Sequence, residues 1–169
     1  MAKRAFHATN FTPTATADAT NLANGTYMAL QGGSSTQLIN VIEVMINGLA
    51  GSSSPTIMQL ARDSTVGATL TALSAPNSDG PMHPSTAALA AAPGAFVAAT
   101  TAPQRSSATS QPRLELGLNA FGGIVRWVAA PGEEFGILGN TASLGECSLS
   151  AYTGGTVGAV SAHFIYEPF

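Results

Sequence analysis

Short runs of β-branched and large apolar residues recur roughly every 8–12 residues along this chain, and glycine, proline or Asn-Gly cuts each one off. Such punctuation leaves little room for helices of ordinary length. It predicts short strands joined by turns, stacked into a sandwich or closed into a barrel. The run at residues 37–47 is the clearest strand. Ile39, Val41, Ile42, Val44 and Ile46 are all β-branched, which disfavours helix and suits a pleated surface, and Asn47-Gly48 closes it. Further strands are expected at residues 26–30, 56–61, 66–73, 95–101, 113–118, 122–129, 134–138, 146–152 and 158–166. The sum is an all-β, jelly-roll-like β-sandwich of about eight to ten strands. Pro131-Gly132 and Gly154-Gly155 have the chemistry of hairpin tips. Residues 75–93 and 102–112 form two long connections, the first with room for one helical turn capped by Ser85.

Alternation along residues 37–47 places Leu38, Ile42, Val44 and Ile46 on one face, and Ile39, Val41 and Met45 with Glu43 on the other. Both faces are then apolar. One would cover the sandwich core and the other a neighbouring subunit, which makes Ile39, Val41 and Met45 candidate interface residues and predicts a homotrimer. Arg126, between Val125 and Trp127 in an apolar strand, should pair with a carboxylate such as Glu43 or Glu115, or lie across a subunit contact. The first 25 residues show no sustained period and are rich in threonine. Their large apolar groups, Phe6, Phe11 and Leu22, are spaced too widely to build a core. The expected organisation is an extended N-terminal arm at 1–25, anchored on a partner by those three residues, and a β-sandwich domain at 26–169.

Composition removes several function classes. Of the 169 residues only 9% are charged, against a usual ~25%, and the net charge is −3. Six Lys and Arg make no basic patch, so nucleic-acid binding is not expected. The single Cys147 cannot form an intramolecular disulfide, and no Cys or His spacing suits zinc; no metal or other cofactor is expected. No window approaches the ~18 apolar residues of a membrane span, and no apolar segment follows Lys3-Arg4 as in a secretory signal. The expectation is a chain made in a cytoplasm and not inserted in a membrane. Catalytic groups are sparse. Ser161, His163 and Glu167 share one face of the last strand, but side chains two residues apart lie side by side without the convergence of a triad. Glu133 and Glu134 belong to a turn, and Cys147 reads as a small buried hydrophobe. No catalytic residues are expected, and the chain reads as a structural or binding protein.

The strand Ile42-Glu43-Val44-Met45-Ile46-Asn47-Gly48 is followed by Ser53-Ser54-Pro55-Thr56-Ile57-Met58-Gln59-Leu60-Ala61-Arg62. Further on comes Val128-Ala129-Ala130-Pro131-Gly132-Glu133-Glu134-Phe135-Gly136-Ile137-Leu138. These stretches, in a chain with one lysine and nearly half Ala, Gly, Ser and Thr, resemble the capsid decoration (cement) proteins of tailed bacteriophages. The resemblance implies a trimeric jelly-roll or related β-sandwich on the outer surface of the virion, made in the host cytoplasm and clamping capsomers of the major capsid protein. It brings no catalytic residues. Two other classes fit less well. A head-fibre or tail-associated adhesive module calls for clustered aromatics, whereas the chain has one Trp and three Tyr. A small β-fold enzyme calls for convergent titratable groups.

Overall fold

The computed structural model describes residues 5–10, 23–63, 66, 68–72, 80–82, 94–101, 113–140, 145–152 and 159–169. Among them there is no helix. The strands are β1 (Phe6–Asn10), β2 (Ala23–Gln31), β3 (Leu38–Gly48), β4 (Pro55–Arg62), β5 (Ala68–Ala72), β6 (Gly80–Pro81), β7 (Gly94–Thr101), β8 (Arg113–Asn119), β9 (Ile124–Val128), β10 (Phe135–Leu138), β11 (Glu146–Tyr152) and β12 (Val160–Pro168).

The pairings are nested. β1 pairs with β12, β2 with β11, β3 with β9 and β10, and β4 with β8, all antiparallel. The chain is therefore folded back on itself as one long ribbon. Rolling that ribbon puts alternate pairs into opposite sheets, and two further ladders, β3–β12 and β4–β11, weld the pairs within each sheet. The result is two sheets, β10-β3-β12-β1-β6 with β9 also on β3, and β5-β7-β2-β11-β4-β8. Counting β9 and β10 as one interrupted strand, this is the eight-stranded jelly roll. The segment between β4 and β8 adds β5 and β7 beyond β2, and β6 beside β1.

The core lies between the sheets. Tyr27, Met28, Leu30, Ile39, Ile46, Met58, Leu60, Ile137, Leu149, Phe164 and Tyr166 are fully buried there. Each contributes on the order of 1.5–3 kcal/mol of apolar burial.

Three expectations change. The 1–25 arm does not begin the chain as a separate piece, because Phe6–Asn10 is a strand of the first sheet. Phe6, Ala8 and Asn10 point inward and are buried, and the Phe6 ring stacks on Tyr166 at 6.0 Å. Second, β3 is not two-faced. Its partner β12 pairs Ile165 with Glu43 but Tyr166 with Val41, so Ile42 is an extra residue, a β-bulge. The bulge inverts the alternation. Ile39 and Val41 before it, and Val44 and Ile46 after it, all point into the core with no exposed surface. The motive for covering a second apolar face with a neighbouring subunit disappears.

Third, Pro131-Gly132 is not a hairpin tip. β9 and β10 do not pair with each other; both run along β3, opposite Glu43–Asn47 and Leu38–Val41. Residues 129–134, including Pro131-Gly132, loop out opposite the Ile42 bulge, where the Ala129 N–H donates to the Ile42 carbonyl. The other expected tip, Gly154-Gly155, lies outside the described residues. The helical turn expected after Ser85, with most of the two long connections, lies outside the described residues.

Candidate interaction surface

The outer face of the first sheet brings together polar and apolar side chains from β1, β3, β9 and β12. Along β12 the pattern is Ser161, His163, Ile165 and Glu167 outward against Val160, Ala162, Phe164 and Tyr166 inward. Register then builds rows across the face: Ile124–Asn47–Ser161, Arg126–Met45–His163–Thr9, and Val128–Glu43–Ile165–His7.

Polar groups on this face pair along the rows and diagonally between them. Arg126 donates from Nε and Nη2 to the two carboxylate oxygens of Glu43, at 2.9 and 2.8 Å. That bidentate bond holds the Glu43 carboxyl below the ordinary carboxylate range despite its burial, with the His163 charge as a lesser contributor. Asn47 Nδ2 donates to Ser161 Oγ at 3.3 Å. Thr9 Oγ1 and His163 Nδ1 share a 2.7 Å hydrogen bond, and the His163 ring stacks on His7 with centroids 5.9 Å apart. Partial burial and the facing His7 push the His163 pKa down, against a smaller upward pull from Glu43.

Around this neutralised centre the surface is apolar. Ile124 is 71% exposed, Val128 54% and Leu138 55%, and Phe169, held by its N–H on the Leu38 carbonyl, is 68% exposed. Val125 and Trp127, of opposite parity on β9, pack against the core instead.

Of the residues expected at an interface, only Met45 and Arg126 lie on this face. Phe6, Ile39 and Val41 are in the core for the reasons given above, and Phe11 and Leu22 lie outside the described residues. The pairing of Arg126 with a carboxylate holds, and the partner is Glu43. His7 and Thr9 were missed, because nothing local marks β1 as the strand beside β12. Also missed was the polar layer on the far side of the second sheet. There Gln59, Asp63, Glu146, Ser148 and Ser150 are buried, with Ser148 Oγ donating to Asp63 Oδ1 at 2.8 Å and Gln59 Nε2 to Glu115 Oε1 at 3.1 Å. The alternation Glu146, Ser148, Ser150 against Cys147, Leu149, Ala151 was the available signal.

Chemically, the first face suits contact rather than turnover. Thr9 and His163 meet the distance of a hydroxyl–base pair. A hydroxyl nucleophile also needs N–H donors aimed at a developing oxyanion. Here β12 is laddered on both sides, to β1 and β3, and its N–H groups are committed to the sheet. Among the described residues no three His, Cys, Asp or Glu side chains gather as a metal-binding group.

The His163 environment gives a pH signature. Its folded pKa lies below the ordinary imidazole value of ~6.5, so the unfolded chain binds more protons just under that value. The stabilising term is complete above ~6.5 and is lost as pH falls through the folded pKa. Glu43, also depressed, loses its term only below the ordinary carboxylate value of ~4.3. Denaturant midpoints taken through this range should fall on acidification below ~6.5, and His163→Gln should flatten that slope. An unchanged slope in the variant would remove His163 as its source.

No protein-family model matches the chain, and no curated protein matches it. Among solved structures it is similar to human polyomavirus 6 VP1, at 11% identity and a TM-score of 0.32, covering 99% of this chain and 95% of that one. It is also similar to KI polyomavirus VP1, at 9% identity and a TM-score of 0.25, covering 99% and 91%. A VP2 protein of infectious bursal disease virus follows at 13% identity and a TM-score of 0.21, covering 99% and 40%. TM-scores this low carry no argument about what the chain does. The two-sheet jelly roll rests on its own strand pairings.

Proposed function

We propose that this chain is a structural virion protein, a decoration protein that binds the outer surface of a tailed-bacteriophage capsid between capsomers of the major capsid protein, as a homotrimer. The observation that carries the reading is the outer face of the first sheet, with its charges paired internally and its rim of exposed aliphatic side chains. A surface of that kind gains by lying on another protein. A two-sheet jelly roll with no catalytic constellation among its described residues is compatible with such a role. The trimer finds support in the exposed rim and no longer in β3.

Washing purified particles in rising NaCl tests the reading. Charge-driven attachment fails as the Debye length shrinks to ~3 Å at 1 M salt, whereas apolar contacts persist. The protein is expected to stay bound at 1 M. Release between about 0.1 and 0.5 M would overturn apolar attachment, and absence from every particle fraction would overturn the decoration role. For the free protein, light scattering should return three times the chain mass. A stable monomer at micromolar concentration would eliminate the trimer.

A further inference from the structure

The outermost strand of the first sheet, β9, is paired on one side only among the described residues, with β3. Its polarity can be read from its ends. The Gly123 carbonyl accepts from Gly48, and the Ala129 N–H donates to Ile42, so odd-numbered residues turn their backbone groups toward β3. By the two-residue period, the N–H and C=O groups of Ile124, Arg126 and Val128 point to the open side. Unprotected edges of this kind are templates for another strand.

Elsewhere the described edges of this sheet carry some protection. The collinear β10 has its Gly136 carbonyl capped by Arg62 Nε, with the guanidinium over the Phe135 ring. On the opposite side β6 is two residues long and ends in Pro81. β9 has neither proline nor bulge, and its one charge is Arg126.

That charge selects the occupant. Glu43 takes two of the five guanidinium N–H donors of Arg126, whose side chain is 60% exposed. Three donors are left over, on a side chain flanked along the strand by the exposed Ile124 and Val128. A second copy added antiparallel about the strand centre would set Arg126 against Arg126, a like-charge pair directly opposite, which is destabilising.

We propose that the open edge of β9 accepts an extended segment of a different protein, one with a carboxylate opposite Arg126 and aliphatic side chains two residues to either side. The carboxylate adds a further charge-assisted bond to Arg126 beside its diagonal pairing with Glu43, and the aliphatic pair covers Ile124 and Val128. This edge exists whether or not the protein decorates a capsid.

The probe is a blocked heptapeptide, Thr-Val-Thr-Glu-Thr-Val-Thr, with its lysine-centred counterpart as control. The readouts are hydrogen exchange at the Ile124, Arg126 and Val128 amides and the emission of Trp127, the chain's one tryptophan. The glutamate peptide at ~1 mM should protect those three amides, with the lysine peptide about tenfold weaker. The double variant Glu43→Arg/Arg126→Glu retains the internal ion pair and should invert the preference. Val128→Pro, which removes an outward N–H and leaves β3 its bonds, should weaken both peptides. No protection by the glutamate peptide, equal protection by both, or protection on raising the protein concentration alone would overturn the proposal.

Discussion

Phe6→Ala is expected to destabilise the fold by about 3–4 kcal/mol, the ordinary cost of truncating a buried phenylalanine. Phe6 is 5% exposed, lies opposite Tyr166 in the β1–β12 ladder and stacks on it. In a domain of this size the loss corresponds to a fall of roughly 10 °C in Tm. Removing residues 1–10 should do more, because it bares one side of β12 and uncovers Tyr166 and Phe164. A residue belonging to a partner-binding arm would behave in the opposite way, leaving the free protein's Tm intact. Chemical denaturation of the variant decides between them. A loss below about 1 kcal/mol would mean that β1 is not seated in the sheet in solution.

Gly139→Ala should cost about 3 kcal/mol or more, and Gly132→Ala only about 1–2 kcal/mol, although both glycines have positive φ. The difference is space. A Cβ on Gly132, in the loop that leaves the sheet between β9 and β10, would meet nothing within 4 Å. One on Gly139 would stand 2.5 Å from the backbone oxygen of Ser35. Gly139 also donates to the Gln37 carbonyl and accepts from the Gly32 N–H, so the β2–β3 connection cannot retreat without losing bonds. Backbone strain is common to both variants, and overpacking belongs to one. Equal losses in the two unfolding curves would show that the β2–β3 connection yields.

Local chemistry was legible in this sequence and pairing was not. Ten of the twelve strands among the described residues stand where β-branched runs and turn residues place them, and β11 has the expected bounds of residues 146–152. β1 escaped because its inward row is Phe6, Ala8 and Asn10, a row with one large apolar group. Asn10 is buried through a hydrogen bond from its side chain to the Tyr27 carbonyl, which no hydrophobic pattern announces. The bulge at Ile42 was hidden for a different reason. With apolar residues at both parities, one inserted residue leaves the sequence looking two-faced, and only the partner strand reveals the inversion. On the outer face, the Arg126–Glu43 pair was foreseeable because an arginine between Val125 and Trp127 needs a carboxylate. His163 was visible as an outward residue, but its contact with Thr9 joins positions 154 residues apart.

That separation governs how the molecule can fold. β12 is the last of these strands to leave a ribosome, yet it sits in the middle of its sheet, between β1 and β3. Until it arrives, β1 lacks the strand on which Phe6 is buried, and one side of β3 stands open beside Val44 and Ile46. Folding of this sheet therefore waits until residues 160–168 have been made, and the large loop closed by that pairing makes the step slow. Nascent chains spend the interval with unpaired strands, the condition under which aggregation competes with folding. Yield of soluble protein should accordingly rise when fewer chains are made at once or chaperones are abundant, with no change in the stability of the molecules that finish.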